Sequence, residues 1–205
     1  MYVVVVGAGE VGVYITRLLT DPNHQLKNME VAVIDLDSKR LDQIQTEVNA
    51  NLILGSGSHP AVLLEAEINR ADLLVAVTSN DEVNLIASLY ARNQGVSKTI
   101  VRIEAPEIKA ETDNEDFFLG PLGPNLVFDP DEDTAKEIAE LLGAWGAEEL
   151  ALLCDGEVAI MGVTLSEDAD FCGQTLSAIG DQNEPEWSFL VAALQRDGET
   201  VIPRS

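Results

Sequence analysis

The sequence predicts an α/β protein whose larger part is a doubly wound parallel sheet, followed by a small α+β lobe. Three observations predict it. Apolar strand-like runs alternate with helical segments as far as about residue 142, the pattern of βαβ units. The first run enters Gly7-Ala8-Gly9-Glu10-Val11-Gly12, a complete G-x-G-x-x-G between a strand and a helix. Asp35 stands 23 residues after Gly12, at the end of the second strand run. That context is what a Rossmann dinucleotide fingerprint requires.

Each element has a local reason. Tyr2–Val6 is a continuous β-branched run, as in a strand buried on both faces. A helix then runs to about Leu19, with Val11, Ile15, Leu18 and Leu19 as its apolar stripe, and Asp21-Pro22-Asn23 stops it. Glu30–Ile34 is the second strand, ending at Asp35. Ser38 is placed to cap a helix carrying Leu41, Ile44 and Val48. Asn51–Leu54 is the third strand, stopped by Gly55-Ser56-Gly57-Ser58. Pro60 opens a short helix through about Ile68. Asp72–Thr78 is the fourth strand. Asn80 or Asp81 starts a helix that ends near Gly95. Thr99–Ile103 and Leu126–Phe128 are strands five and six, and residues 131–142 form a helix with acids in its first turn. Gly143–Gly146 reads as a linker. Beyond it come a strand over Glu157–Leu165, a helix over Gln174–Ile179, and strands over Ser188–Leu194 and Thr200–Pro203 around an Asp-Gly turn. Two domains are therefore expected, 1–142 and 148–205.

Composition excludes several functions. The chain has 205 residues, 36 acids against 12 Lys and Arg, and a net charge of −24. Phosphate backbones need a basic footprint, so no nucleic-acid partner is expected, nor direct insertion into a membrane. No apolar run approaches the ~20 residues of a membrane span. The apolar start lacks a basic n-region, so it reads as a strand rather than a signal peptide, and the protein as soluble and cytoplasmic. Two cysteines and two histidines suggest neither a disulfide framework nor a metal site.

The glycine motif carries the chemistry. Gly7 allows the tight turn, Gly9 lets backbone approach phosphates, and Gly12 lets helix and strand pack closely. The helix start offers amide donors to an anion. Asp35 accepts from ribose hydroxyls and disfavours a 2′-phosphate, which points to NAD(H) or ATP/ADP. Packing alone would also explain a glycine turn. The other strand ends meet the same crevice: Asp35 with Leu36, Gly55 with Ser56, Thr78-Ser79-Asn80, and Arg102. Arg102 is either a phosphate partner or half of an ion pair with Glu104 or Asp81, and Ser56 reads chiefly as a turn residue. No catalytic group is evident. Tyr2, Tyr14 and Tyr90 are followed four residues on by Val6, Leu18 and Gln94, so Tyr-x-x-x-Lys is absent, as are G-x-S-x-G and a Walker loop. A nucleotide site without chemistry around it suggests a sensor and not an enzyme.

Several segments resemble the RCK (KTN, TrkA-N plus TrkA-C) regulatory subunits of Trk/Ktr potassium uptake systems. They are residues 3–12 (VVVVGAGEVG), 31–37 (VAVIDLD), 53–66 (ILGSGSHPAVLLEA), 71–91 (ADLLVAVTSNDEVNLIASLYA) and 99–106 (TIVRIEAP). Thr78, Asp81, Glu82 and Asn84 match the family's Thr-x-x-Asp-Glu-x-Asn, whereas Ser56 stands where the family often has Asp. The resemblance implies a Rossmann N-lobe, a crossover helix over 131–142, and a partial TrkA-C lobe over 148–205 that lacks the family's further strands. It implies a cytoplasmic subunit at the inner face of the membrane, held by a potassium transporter subunit and assembled as a homodimer or larger ring. Nucleotide binding would gate transport, with Gly7–Val11 on the phosphates, Asp35 on ribose, Thr78 and Ser79 on the adenosine or second ribose, and Arg102 on a phosphate or a neighbouring subunit. Two other readings stay open: a fragment of an NAD-dependent oxidoreductase, and an interaction module with a vestigial site.

Charge placement generates a first prediction. Residues 1–105 carry net −5 and residues 106–205 net −19. In dilute buffer the Debye length is about 30 Å and these acids repel across the lobe; near 1 M salt it is about 3 Å. A halophilic protein is the reading. Melting followed by circular dichroism from 0.05 to 3 M KCl should show strong stabilisation, and limited proteolysis at low salt should cut first beyond residue 105. A flat midpoint refutes the halophilic reading.

Overall fold

A computed structural model describes residues 1–23, 29–112, 123–143, 147–154, 157–183 and 189–203. The chain divides into two compact units, Met1–Ile138 and Ala139–Ser205.

The first unit contains β1 (Tyr2–Val6), α1 (Glu10–Thr20), β2 (Glu30–Asp35), α2 (Ser38–Ile44), β3 (Asn51–Leu54), α3 (Pro60–Glu65), a 3-10 turn at Ile68–Arg70, β4 (Leu73–Ala76), α4 (Asp81–Asn93), β5 (Lys98–Arg102), α5 (Pro106–Thr112) and β6 (Leu126–Phe128). It also holds most of α6 (Pro130–Gly143). The six strands form one parallel sheet in the order β3-β2-β1-β4-β5-β6. The doubly wound sheet read from the sequence is thus present. Its order reverses between β1 and β4, which is where such sheets open a ligand crevice.

The strand β1 lies in the middle, and Val3 to Val6 have essentially no solvent contact. Because side chains alternate across a strand, the four valines divide between two cores. Val3 and Val5 pack with Leu41 and Ile44 of α2, and with Val11, Ile15 and Leu19 of α1. Val4 and Val6 pack with Leu63 of α3, and with Leu85, Ala87 and Ala91 of α4. Each fully buried valine is worth about 1.5–3 kcal/mol. At the amino end of β1, Tyr2 is held in place: its hydroxyl donates to the Ala66 carbonyl (2.7 Å) and the Arg70 guanidinium lies 4.4 Å over its ring.

The helix α5 was absent from the sequence reading, although Pro106 at its start and Glu107 in its first turn are start signals. The crossover helix, expected over 131–142, runs from Pro130 to Gly143. Its residues 131–140 are all exposed.

The second unit holds β7 (Glu149–Leu153) and β8 (Val158–Gly162) as one antiparallel pair, α7 (Leu176–Asn183), and β9 (Leu194–Arg196) with β10 (Glu199–Val201) as another. The sequence reading missed β7, because its Leu- and Ala-rich run favours a helix as much as a strand. The strand expected over 188–194 is not formed: residues 189–193 are irregular, Ser188 lies outside the described residues, and the strand begins at Leu194. The Asp-Gly signal is tighter than expected. Arg196 pairs with Glu199, and Asp197 and Gly198 alone make the turn, with φ of 49° and 80°. Both central residues at positive φ suit the right-handed twist of the strands. The expected linker at 143–146 lies, apart from Gly143, outside the described residues.

An ion cluster joins α5 to the start of α6. Lys109 pairs with Asp129 and with Glu132 (2.6 Å), and Glu132 also meets Lys136 (2.9 Å). The Lys109 ammonium holds the Asp129 carboxyl below its ordinary value of 3.8 against the opposing effect of burial, and the Asp131 and Glu132 amides donate to the same carboxylate. A depressed folded-state value means that this stabilisation is present above pH 3.8 and is lost as pH falls through the folded value. Carbon-13 titration of the Asp129 carboxyl should give a midpoint under 3.8 that rises in Lys109→Met. A midpoint unmoved by the substitution removes Lys109 as the cause.

Candidate functional site

The candidate site residues lie at the carboxyl ends of β1, β2, β3, β4 and β5, in the loops that follow them and in the first turn of α1. Close packing draws the first and fourth together. Gly7 has φ +109°, and a Cβ there would lie 3.0 Å from the Thr78 amide nitrogen. Gly12, in the first turn of α1, sits so close to the turn after β1 that a Cβ would lie 1.8 Å from the Gly7 carbonyl oxygen. Only glycine permits both approaches. Gly9 is the N-cap of α1 and has no side chain to accept from the first-turn amides of Glu10, Val11 and Gly12. Those donors and the positive helix end suit an anion. Glu10 itself is exposed, Val11 partly buried and Ala8 buried.

Asp35 is buried and joins two loops. One oxygen accepts from the Ala8 amide (2.6 Å) and the other from the Asp37 amide (2.8 Å). A carboxylate can accept about four hydrogen bonds, so a ribose hydroxyl can join these two. Leu36, next in the chain, is 71% exposed. Gly55 donates to the Asp35 carbonyl (2.9 Å). Ser56 turns back on its own loop: its hydroxyl meets that of Ser58 at 2.8 Å and its carbonyl accepts from the His59 amide (3.0 Å). Both contacts stay within the turn itself. Gly57 lies against the end of β1, where a Cβ would meet Val6 Cγ1 at 2.1 Å.

The fourth loop is ordered by a buried side chain outside the candidate set. Asn84 of α4 is fully buried. Its Oδ1 accepts from the Thr78 amide (3.0 Å) and hydroxyl (2.7 Å), while its Nδ2 donates to the carbonyls of Thr78 (3.0 Å) and Arg102 (2.9 Å). One amide group thereby ties the ends of β4 and β5 to α4. Asn80 caps α4 by accepting from the Val83 amide (2.7 Å), and Ser79 is exposed beside it. Asp81 accepts from the amides of Glu104 (3.1 Å) and Ala105 (2.9 Å), so it holds the loop after β5. These contacts give a physical reason for the Thr-x-x-Asp-Glu-x-Asn spacing. The motif match names Asn84 and Asp81 from the sequence, but the backbone groups they hold are set by the fold.

Arg102 forms an ion pair with Glu104, the first of the two acids weighed for it; Asp81 is occupied by backbone. Its Nε is buried with no hydrogen-bond partner among the described residues. Arg40 of α2, which the sequence did not single out, brings its Nη1 to within 3.9 Å of where a Cβ on Gly9 would stand.

A parallel sheet in this order, with a glycine turn at its switch point and an acid closing the second strand, defines a Rossmann-type domain. Residues 3–114 match the TrkA-N domain, and the chain belongs to that family. Among curated relatives it is 34% identical over 204 residues to the Trk system potassium uptake protein TrkA homolog of Archaeoglobus fulgidus, covering 100% of this chain and 44% of that one. It is 28% identical to the TrkA homolog of Methanothermobacter thermautotrophicus, covering 100% and 87%. It is 29% identical to TrkA of Vibrio alginolyticus, covering 100% and 43%. The chain thus spans less than half the length of the first and third. Among solved structures, the TrkA-N domain of the inner membrane protein YbaL from Escherichia coli aligns with a TM-score of 0.55 at 20% identity, over 69% of this chain and 96% of that one. The Shewanella denitrificans Kef CTD in AMP-bound form aligns at 0.53 and 19%, over 72% and 84%. The GsuK channel bound to NAD aligns at 0.53 and 18%, over 75% and 25%. At these identities the structures share the fold.

The buried Asn84 generates a prediction. Asn84→Ala leaves the Thr78 amide and the Arg102 carbonyl without their partner, at a cost of roughly 2–4 kcal/mol. Urea unfolding should show the loss as a lower midpoint. A loss under about 0.5 kcal/mol would mean that the network is not needed to order the loop.

Proposed function

We propose that this chain is a nucleotide-binding regulatory module of a Trk-type potassium uptake system, without catalytic activity of its own. The observation that carries the reading is the reversal of strand order between β1 and β4, where a helix start without a side-chain cap and a glycine turn meet the Thr78 loop in a TrkA-N family member. Gly7, Ala8, Gly9, Glu10, Val11 and Gly12 would frame the phosphates, Asp35 and Leu36 the ribose and base, and Thr78, Ser79 and Asn80 the far half of the ligand. Gly55 and Ser56 would shape the floor, and Arg102 would stand at the rim. The ligand class is NAD(H) or an adenosine nucleotide, as bound in the GsuK and Kef structures.

Regulation follows if the nucleotide binds two assembly states unequally, since equal affinity shifts nothing. The helix α6 supports an assembled form. Ile138 and Leu142 are 54% and 74% exposed, and with Ala135 they recur at helical spacing along it. We assign this stripe to a homodimer contact, residues 148–205 to a partial TrkA-C lobe, and the membrane-side partner to a potassium transporter subunit. The protein would then work in the cytoplasm at the inner face of the membrane. No helix among the described residues is long and apolar enough to cross one.

Calorimetric titration with NAD, NADH, ATP and ADP tests the reading, and binding of at least one is the expected result. Asp35→Ala should weaken it by about 1–3 kcal/mol, the range for hydrogen bonds to a charged group, and should narrow discrimination against NADP. Unchanged affinity removes Asp35 from the site. No binding at all favours the vestigial module, and steady turnover of a substrate with NAD favours the oxidoreductase.

A further inference from the structure

We propose that Arg40 is the cation that holds the ligand's phosphate over Gly9, and so makes the site select phosphorylated adenosine compounds. The proposal rests on the nucleotide reading above and adds to it a residue that neither the fingerprint nor the strand ends identify.

Placement comes first. Asp37 caps α2 by accepting from the Lys39 amide (2.9 Å), and the Arg40 amide donates to the Asp37 carbonyl (3.1 Å). The cap fixes Arg40 in the first turn of α2, beside the loop after β2. From there the side chain crosses to the glycine loop. A Cβ on Gly9 would have Arg40 Nη1 as its one non-neighbouring contact, at 3.9 Å. Gly9 is where the absence of a side chain lets a phosphate approach backbone. A guanidinium 3.9 Å from that point can reach an oxygen bound there with a small rotamer change.

Availability comes second. Of the five arginines in residues 1–138, Arg17 is paired with Glu47, Arg70 with Glu30 and Glu67, and Arg102 with Glu104, while Arg92 donates to the carbonyls of Val96 and Ser97. Arg40 has a looser contact: its Nε stands 3.9 Å from Asp37 Oδ2, and the side chain is 55% exposed. Its Nε edge faces Asp37 and its Nη1 faces Gly9, so both can be served at once by the planar fork.

Charge supplies the need. Glu10 stands in the glycine motif itself and the Asp35 carboxylate accepts from its Ala8 amide. A nucleotide phosphate brought to this loop is repelled by both carboxylates. The first-turn amides of α1 offset part of this, and a full positive charge at Gly9 offsets more.

The test compares wild type, Arg40→Gln and Arg40→Lys at one fixed KCl concentration, by calorimetry with adenosine, AMP, ADP, NAD and NADP. Circular dichroism melts first verify that this exposed substitution leaves the fold intact. Arg40→Gln should weaken AMP, ADP and NAD by about 10- to 100-fold, as for loss of a charge-assisted hydrogen bond, and leave adenosine unchanged. Arg40→Lys should recover part of the loss. Equal binding of AMP and NAD by wild type and Arg40→Gln overturns the proposal while leaving the nucleotide reading intact. A loss confined to NADP overturns it too, by moving the contact to the 2′ position, and an equal loss for adenosine moves it to the base. If the wild type binds none of the five compounds, the nucleotide reading itself falls and this proposal with it.

Discussion

Four consecutive valines without solvent contact, Val3 to Val6, require apolar cover on both faces of the sheet at once. Helices α1 and α2 supply one face, and α3 and α4 the other. Parallel neighbours on both sides of β1 mean that each connection must cross over the sheet, which the intervening helices do. Helices on both faces in turn require the chain to reverse its direction of travel at β1. The reversal of strand order between β1 and β4, where sheets of this kind open a ligand crevice, is therefore a consequence of how the central strand is buried.

Once that crevice exists, its rim is made of strand ends whose backbone groups have run out of sheet partners. Buried amides and carbonyls need replacements. Asp35 supplies two acceptors, to Ala8 and Asp37; Asn84 supplies two donors and an acceptor that takes two hydrogen bonds; Asp81 accepts from Glu104 and Ala105. These acids and amides act first as scaffolding. Gly7 and Gly12 belong to the same scaffold, because a side chain on Gly7 would crowd the Val77–Thr78 backbone and one on Gly12 would push α1 off the glycine turn.

The acidic surplus stands apart from this core. Among residues 131–140 of α6 every position is exposed, and its first-turn acids Asp131, Glu132 and Asp133 face a positive helix end, with Lys109 neutralising Glu132 and Asp129 from α5. The helix thus begins in a charged clamp, where Lys109 and the helix dipole balance its first-turn acids.

The sequence by itself determined the elements, the parallel sheet and the glycine turn. Those follow from neighbours along the chain: β-branched runs, apolar spacing, caps, and glycines where backbone crowds backbone. It failed where local signals were ambiguous, as at Leu150–Leu153, or were passed over, as at Pro106. Arg102's choice of Glu104, the full use of Asp81 by backbone, the central place of Asn84 and the approach of Arg40 to Gly9 were decided only by the tertiary structure. The physical reason is distance. A side chain's partner is whatever lies within about 3–4 Å of its polar atoms. For Asn84 and Arg102, 18 residues apart, or Gly9 and Arg40, 31 apart, that proximity exists only after the strands have paired and the helices have packed down on them.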